Sequence, residues 1–152
     1  MTDTRVDLAL SGSCVRVAQV TDTHLEELRG GTLLGMDTDA SLAHVLDLLR
    51  GPLRPDLLLA TGDLANHGSE AAYVRVRESF DALGLPWFWL PGNHDAGPLM
   101  HGVIGRGRPM IRCVCVGAWQ IVMLDSTVAG QVGGSLGAAE LALLDRLLAA
   151  EP

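Results

Sequence analysis

The sequence predicts an α/β fold: a β-α-β-α-β parallel core, then an antiparallel hairpin and a final helix. Three observations predict it. Apolar runs of strand length alternate with stretches of helical periodicity. The connections are short, which points to right-handed crossovers between parallel strands. The first three predicted strands each run into a polar cluster: Asp22-Thr23-His24, Gly62-Asp63-Leu64-Ala65-Asn66-His67-Gly68 and Gly92-Asn93-His94-Asp95.

Residues 1–13 are polar and are expected to be a loose N-terminal leader. Residues 15–20 alternate and end at the first cluster, as a half-buried strand does. A glycine-rich loop comes next, with Gly30, Gly31 and Gly35. Leu42, Val45, Leu46 and Leu49 recur at i, i+3, i+4, i+7 and predict a helix over 38–50. Asp37 or Thr38 can cap it, and Gly51-Pro52 stops it. Residues 57–60 form a continuous apolar run, the pattern of a strand buried on both faces.

Ser69 can cap the next helix, where Ala72, Val76, Phe80 and Leu83 make one stripe and Gly84 ends the element. Residues 87–90 are another buried strand. Residues 97–109 read as a loop, with one helical turn around 99–104. Residues 111–116 and 119–125 flank Gly117-Ala118 and predict the hairpin. After a glycine-rich stretch over 130–137, Leu141, Leu144 and Leu148 line a last helix over 138–150. No repeat, linker or second domain is visible.

A chain of 152 residues, 48% hydrophobic, suits one globular domain able to bury roughly 68–70% of its unfolded surface. It holds no lysine; all eleven basic residues are arginine, and the formal net charge is −7. That balance argues against coating a nucleic-acid polymer or an anionic membrane. No segment approaches the roughly 20 apolar residues of a membrane span, and the N-terminus lacks a signal-peptide layout. Three cysteines without framework spacing fit a reducing interior, so a cytoplasmic location is expected. Cys113 and Cys115 share one strand face and read as packing residues.

All three clusters come after parallel strands and so gather at the carboxyl edge of one sheet, where open α/β sheets place their ligands. Carboxylate, imidazole and amide groups brought together there are the donor set of a hard or borderline divalent cation. The spacing excludes a Walker loop, and no H-E-x-x-H is present. Taken singly, each residue has a plainer reading. Asp95 fits a cap for the next loop, Asp125 a turn residue, His44 a surface position and His101 a loop residue; His67 is a lesser site candidate.

The order Asp-x-His, Gly-Asp-x4-Gly, Gly-Asn-His-Asp resembles the calcineurin-like metallophosphoesterase superfamily. The stretches around it (Val20 to His24, Ala60 to Ala65, Ala71 to Tyr73, Leu90 to Asp95) are most similar to bacterial class III cyclic-nucleotide phosphodiesterases. The resemblance implies two divalent ions of the Fe, Mn or Zn type. Asp22 and His24 would bind the first, Asp63 would bridge both, and Asn93 would bind the second. It implies that His94 is not a ligand but the catalytic histidine facing the substrate. In the protein-phosphatase branch an aspartate orients that histidine. Asn66 and His67 depart from that branch's pattern.

The implied reaction is attack of a metal-activated hydroxide on the phosphorus of a small phosphate ester, most closely 3′,5′-cyclic AMP. Alternatives are another phosphodiester, a pyrophosphate or a monoester, or a catalytically inactive metal-binding or interaction module. In the family, further histidine motifs come after the last helix and complete an α/β/β/α sandwich. Residues 14–152 are therefore expected to be an incomplete N-terminal part of that domain. Its metal site would be weakened, and its open sheet edge would be available for self-association.

Overall fold

Leu57, Leu58 and Ala60 have no exposed surface, and their strand accordingly lies at the centre of a sheet with neighbours on both sides. The computed structural model describes residues 5–9, 14–52, 54–104 and 110–149. In it β1 (Arg5–Leu8), β2 (Val17–Val20), β3 (Thr32–Leu33), β4 (Met36–Asp37) and α1 (Thr38–Arg50) come first. They are followed by β5 (Leu57–Thr61), α2 (Glu70–Asp81), β6 (Trp87–Leu90), α3 (Gly97–Ile104), β7 (Cys113–Val116), β8 (Trp119–Val122) and α4 (Ala138–Ala149).

The parallel core is the sheet β2-β5-β6, with Gln19 opposite Leu59 and Ala60 opposite Trp89. Its main apolar cluster joins Leu42 and Leu46 of α1, Ala72, Val76 and Phe80 of α2, and Met100 and Val103 of α3. An aromatic string runs through it: Phe80 to Trp87, Trp87 to Trp89, and Trp89 to Tyr73, with ring centroids 5.5, 5.1 and 6.2 Å apart. Asp37 caps α1 by accepting the Ala40 N–H at 2.9 Å. Ser69 stands at the N-cap of α2 in extended conformation but makes no side-chain cap hydrogen bond, so that expectation is corrected.

A second sheet has the order β1-β7-β8. Residues 5–8, expected within a loose leader, instead form β1 and pair in parallel with β7, Arg5 opposite Cys113 and Leu8 opposite Val116. Val6 and Leu8 alternate with Arg5 and Asp7, a strand pattern too short to stand out until the fully buried β7 supplies a partner. Residues 1–4 and 10–13 of that leader lie outside the described residues.

Three other expectations are revised. The loop over 97–109 is, in its described part, the eight-residue helix α3, anchored by buried Met100 and Val103. The glycine-rich loop holds the short hairpin β3-β4, turned at Leu34 and Gly35, whose φ angles of 51° and 83° are those of a primed turn. In α4 the buried residues are Leu143 and Leu147; Leu141 and Leu148 are exposed. Five leucines within eight positions leave the periodicity ambiguous, and packing on Cys113 and Cys115 selects the face.

The two β7 thiols lie 3.7 Å apart beneath α4, and burial raises the Cys115 thiol above its ordinary range. Cys14 is exposed. Ellman's reagent is therefore expected to titrate one thiol in the native protein and three after unfolding in guanidinium. Rapid reaction of two or three native thiols would contradict this packing.

Candidate metal centre

The loops after β2 and β5 continue side by side beyond the strands. Asp22 N–H donates to Gly62 O at 3.0 Å, His24 N–H to Asp63 O at 2.9 Å, and Leu25 N–H to Leu64 O at 3.0 Å. This ladder holds Asp22, His24 and Asp63 at φ 56°, 44° and 52°, the left-handed region. Aspartate and histidine enter this region more readily than most side chains, yet three such residues within one loop pair are uncommon and mark a backbone held by its surroundings. Among the described non-glycine residues only Leu34 shares this conformation.

The effect is to turn three side chains toward one point. One ligand atom from each of Asp22, His24 and Asp63 lies within 4.8 Å of the others. His24 Nε2 is 3.7 Å from Asp22 Oδ1 and 4.0 Å from Asp63 Oδ2. The His24 and Asp63 side chains are largely buried (15% exposed each), whereas that of Asp22 is 60% exposed. His24 Nδ1 is buried without a hydrogen-bond partner, so the ring is placed by its loop and by Nε2 facing the carboxylates. Two carboxylates beside one imidazole fit a divalent cation.

Two glycines make room for this. A Cβ on Gly92 would stand 2.2 Å from Asp63 Oδ1 and 2.4 Å from Asp63 N, and one on Gly62 would stand 2.9 Å from Gly92 Cα. The second and third motifs thus meet through glycine backbones. Asn93 lines the same cleft as Asp22 and Asp63, together with Ser126, Thr127 and Gly134 from the loop before α4. That loop is shaped by Asp125, whose Oδ1 accepts the Thr127 N–H and O–H at 2.8 and 2.7 Å, as expected of a turn residue.

His94 donates its backbone N–H to Asp63 Oδ1 at 3.0 Å, and its ring meets that of His24 edge-on at 4.8 Å. Its Nδ1 lies 2.8 Å from the Asn66 carbonyl oxygen. A carbonyl only accepts, so Nδ1 carries the proton and Nε2 does not. Asn66 therefore orients His94 through its backbone, while its side-chain amide donates to Glu26 Oε1 at 2.7 Å. His67 is exposed beside Asn66 and outside the cluster; His44 on α1 and His101 on α3 are exposed as well.

Asp95 does not cap the segment after it. Its carboxylate reaches back to the second motif and to Tyr73 of α2. Nothing in the sequence marks this contact except the tyrosine's place in a stretch that resembles the phosphodiesterases. Burial raises the Tyr73 phenol well above its ordinary range, so it stays protonated and able to donate. No described helix is long and apolar enough to cross a membrane.

Comparison with known proteins agrees with this geometry. The calcineurin-like phosphoesterase family matches residues 15–135. The chain is 41% identical over 149 residues to the 3′,5′-cyclic adenosine monophosphate phosphodiesterase CpdA of Escherichia coli, covering 95% of this chain and 54% of that protein. It is 39% identical over 135 residues to the CpdA of Pseudomonas aeruginosa, covering 88% and 50%. With a cAMP/cGMP dual specificity phosphodiesterase of Mycobacterium tuberculosis it shares 35% over 141 residues, covering 86% and 44%. The chain spans about half the length of the curated relatives it matches. With three polar motifs following parallel strands of one sheet, and with the match over residues 15–135 extending across them, the chain belongs to the calcineurin-like phosphoesterase family.

Proposed function

We propose that this chain is the part of a metal-dependent phosphodiesterase that carries its first ligands and its catalytic histidine, and that the substrate is a 3′,5′-cyclic nucleotide, cyclic AMP first. The observation that carries this is the convergence of Asp22, His24 and Asp63 within 4.8 Å. The names of the relatives support the substrate class. Asp22 and His24 would hold one ion, Asp63 would serve both, and Asn93 would offer a neutral oxygen to the second.

When bound, the ion pair supplies charge neutralisation at phosphorus and a hydroxide near neutral pH. The protein's own contribution is placement. Asp63, largely buried and held by the His94 N–H, would set where the phosphoryl group is held. His94, with Nδ1 committed to the Asn66 carbonyl, presents Nε2 to the leaving oxygen, where it can hold or deliver a proton. Cyclic AMP would open to AMP as the P–O3′ bond breaks and that oxygen gains the proton. A small, acidic domain without lysine fits a small-molecule ester better than a polymer. The open edge of β2 also supports self-association as a further proposal.

The test is AMP formation from cyclic AMP by the purified chain with Mn²⁺. His94→Ala is expected to lower kcat about 10²–10⁴-fold while Mn²⁺ affinity is kept. Mn²⁺ binding without turnover would instead favour an inactive metal-binding module. Absence of Mn²⁺ binding would sink the metal reading itself.

A further inference from the structure

The Asp95 carboxylate is the most heavily used acceptor near the cleft. It receives the Leu64 N–H at 3.1 Å, the Ala65 N–H at 3.0 Å, the Gly92 N–H at 2.9 Å and the Tyr73 O–H at 3.0 Å. Leu64 and Ala65 come directly after Asp63, and Gly92 precedes Asn93. One carboxylate thus grips the backbone on both sides of the Asp63–Gly92 contact. The Tyr73 hydroxyl in turn accepts the Ala96 N–H at 2.7 Å, which ties this knot to the buried face of α2.

We propose that Asp95 and Tyr73 are positioning residues: they lock the Asp63 and Asn93 loops together before any ion arrives, and so set the metal affinity of the site. Neither side chain belongs to the ligand cluster. The physical reason is acceptor capacity. A carboxylate has about four lone-pair sites and can take four donors from converging directions; an amide of the same shape has half that number and adds two donors. Asparagine at this position would set N–H against N–H at Gly92 or at Leu64 and Ala65. A buried backbone donor that loses its partner is costly, so the two loops would part.

The metal arm of the test rests on the proposed function; the exchange arm does not. Amide hydrogen exchange of the metal-free protein, followed by NMR, reads the lock directly. Asp95→Asn is expected to speed exchange at Leu64, Ala65 and Gly92 by about tenfold or more. It is also expected to weaken Mn²⁺ binding by about 10–100-fold, the range for groups that support ligands. Tyr73→Phe removes one hydroxyl only. It should shift both readouts the same way by less, and it carries the test should Asp95→Asn fail to fold.

Phe80→Leu, on the same helix but far along the aromatic string, is the control. It should lower Tm without singling out those three amides and without moving Mn²⁺ affinity. Exchange in Asp95→Asn or Tyr73→Phe no different from that control would overturn the proposal. Failure of the unaltered protein to bind Mn²⁺ would remove the phosphodiesterase reading and leave the exchange result to decide this one.

Discussion

Asp63→Ala is expected to lower Mn²⁺ affinity by about two orders of magnitude or more and to abolish hydrolysis. Removing an outer supporting group already costs about 10–100-fold, and Asp63 is one of only two carboxylates in the cluster. The substitution acts in three ways that can be separated. It deletes a negative charge close to His24 Nε2, it deprives the His94 N–H of its acceptor, and it puts alanine at φ 52°. The last costs roughly 1–2 kcal/mol, a penalty that aspartate and asparagine largely avoid. Asp63→Asn keeps the backbone preference and one acceptor oxygen, so whatever affinity it loses is due to the lost charge and the lost second ligand oxygen rather than to the backbone.

Folding stability should respond differently from affinity. Without an ion, Asp22 and Asp63 repel one another across a short gap, and neutralising either relieves the apo protein. Asp63→Asn is therefore expected to bind metal poorly yet melt no lower than the unaltered chain in EDTA. Isothermal titration with Mn²⁺ and thermal melts in EDTA check the two halves. Affinity retained in Asp63→Asn would mean that this carboxylate does not hold the ion.

The second large effect is expected at Gly92, which carries no chemistry of its own. Gly92→Ala would put a methyl group 2.2 Å from Asp63 Oδ1 and 2.4 Å from Asp63 N. Part of that obstruction is backbone, so a rotamer change cannot relieve it and one loop must retreat. Overpacking of this kind costs about 1–3 kcal/mol, and the displaced carboxylate should cost at least about tenfold in Mn²⁺ affinity. Gly102→Ala is the matched control: nothing lies within 4 Å of its Cβ, and it sits in α3. There the same change is expected to stabilise by about 0.5–1 kcal/mol. Equal Tm values for the two variants would refute the close-approach argument.

The legible parts of this molecule are those in which sequence period and burial agree. β5 reads as buried on both faces and is the central strand; the stripe of α2 follows its periodicity, and α1 does so at Leu42 and Leu46, although Val45 is exposed; the three motifs follow strands of one sheet. The illegible parts depend on tertiary partners. β1 becomes a strand because β7 is there to pair with it, and α4 buries Leu143 and Leu147 because the cysteines lie under that face. Asp95 resembles a cap for the next segment because local rules run forward along the chain, whereas its donors lie behind it in sequence. Likewise the Asn66 side chain is legible as a departure from the phosphatase pattern, but its carbonyl, which orients His94, leaves no trace in the residue type.

The left-handed residues at 22, 24 and 63 bear on how fast the site can fill. Their backbones are already fastened to one another and to Gly62, so an arriving ion meets three placed side chains rather than a peptide that must wrap around it. Finger-type zinc modules gain their shape from the ion and lose it to a chelator. Here, stripping the ion should leave the architecture standing, and reloading should run at the pace at which the ion sheds its own hydration shell.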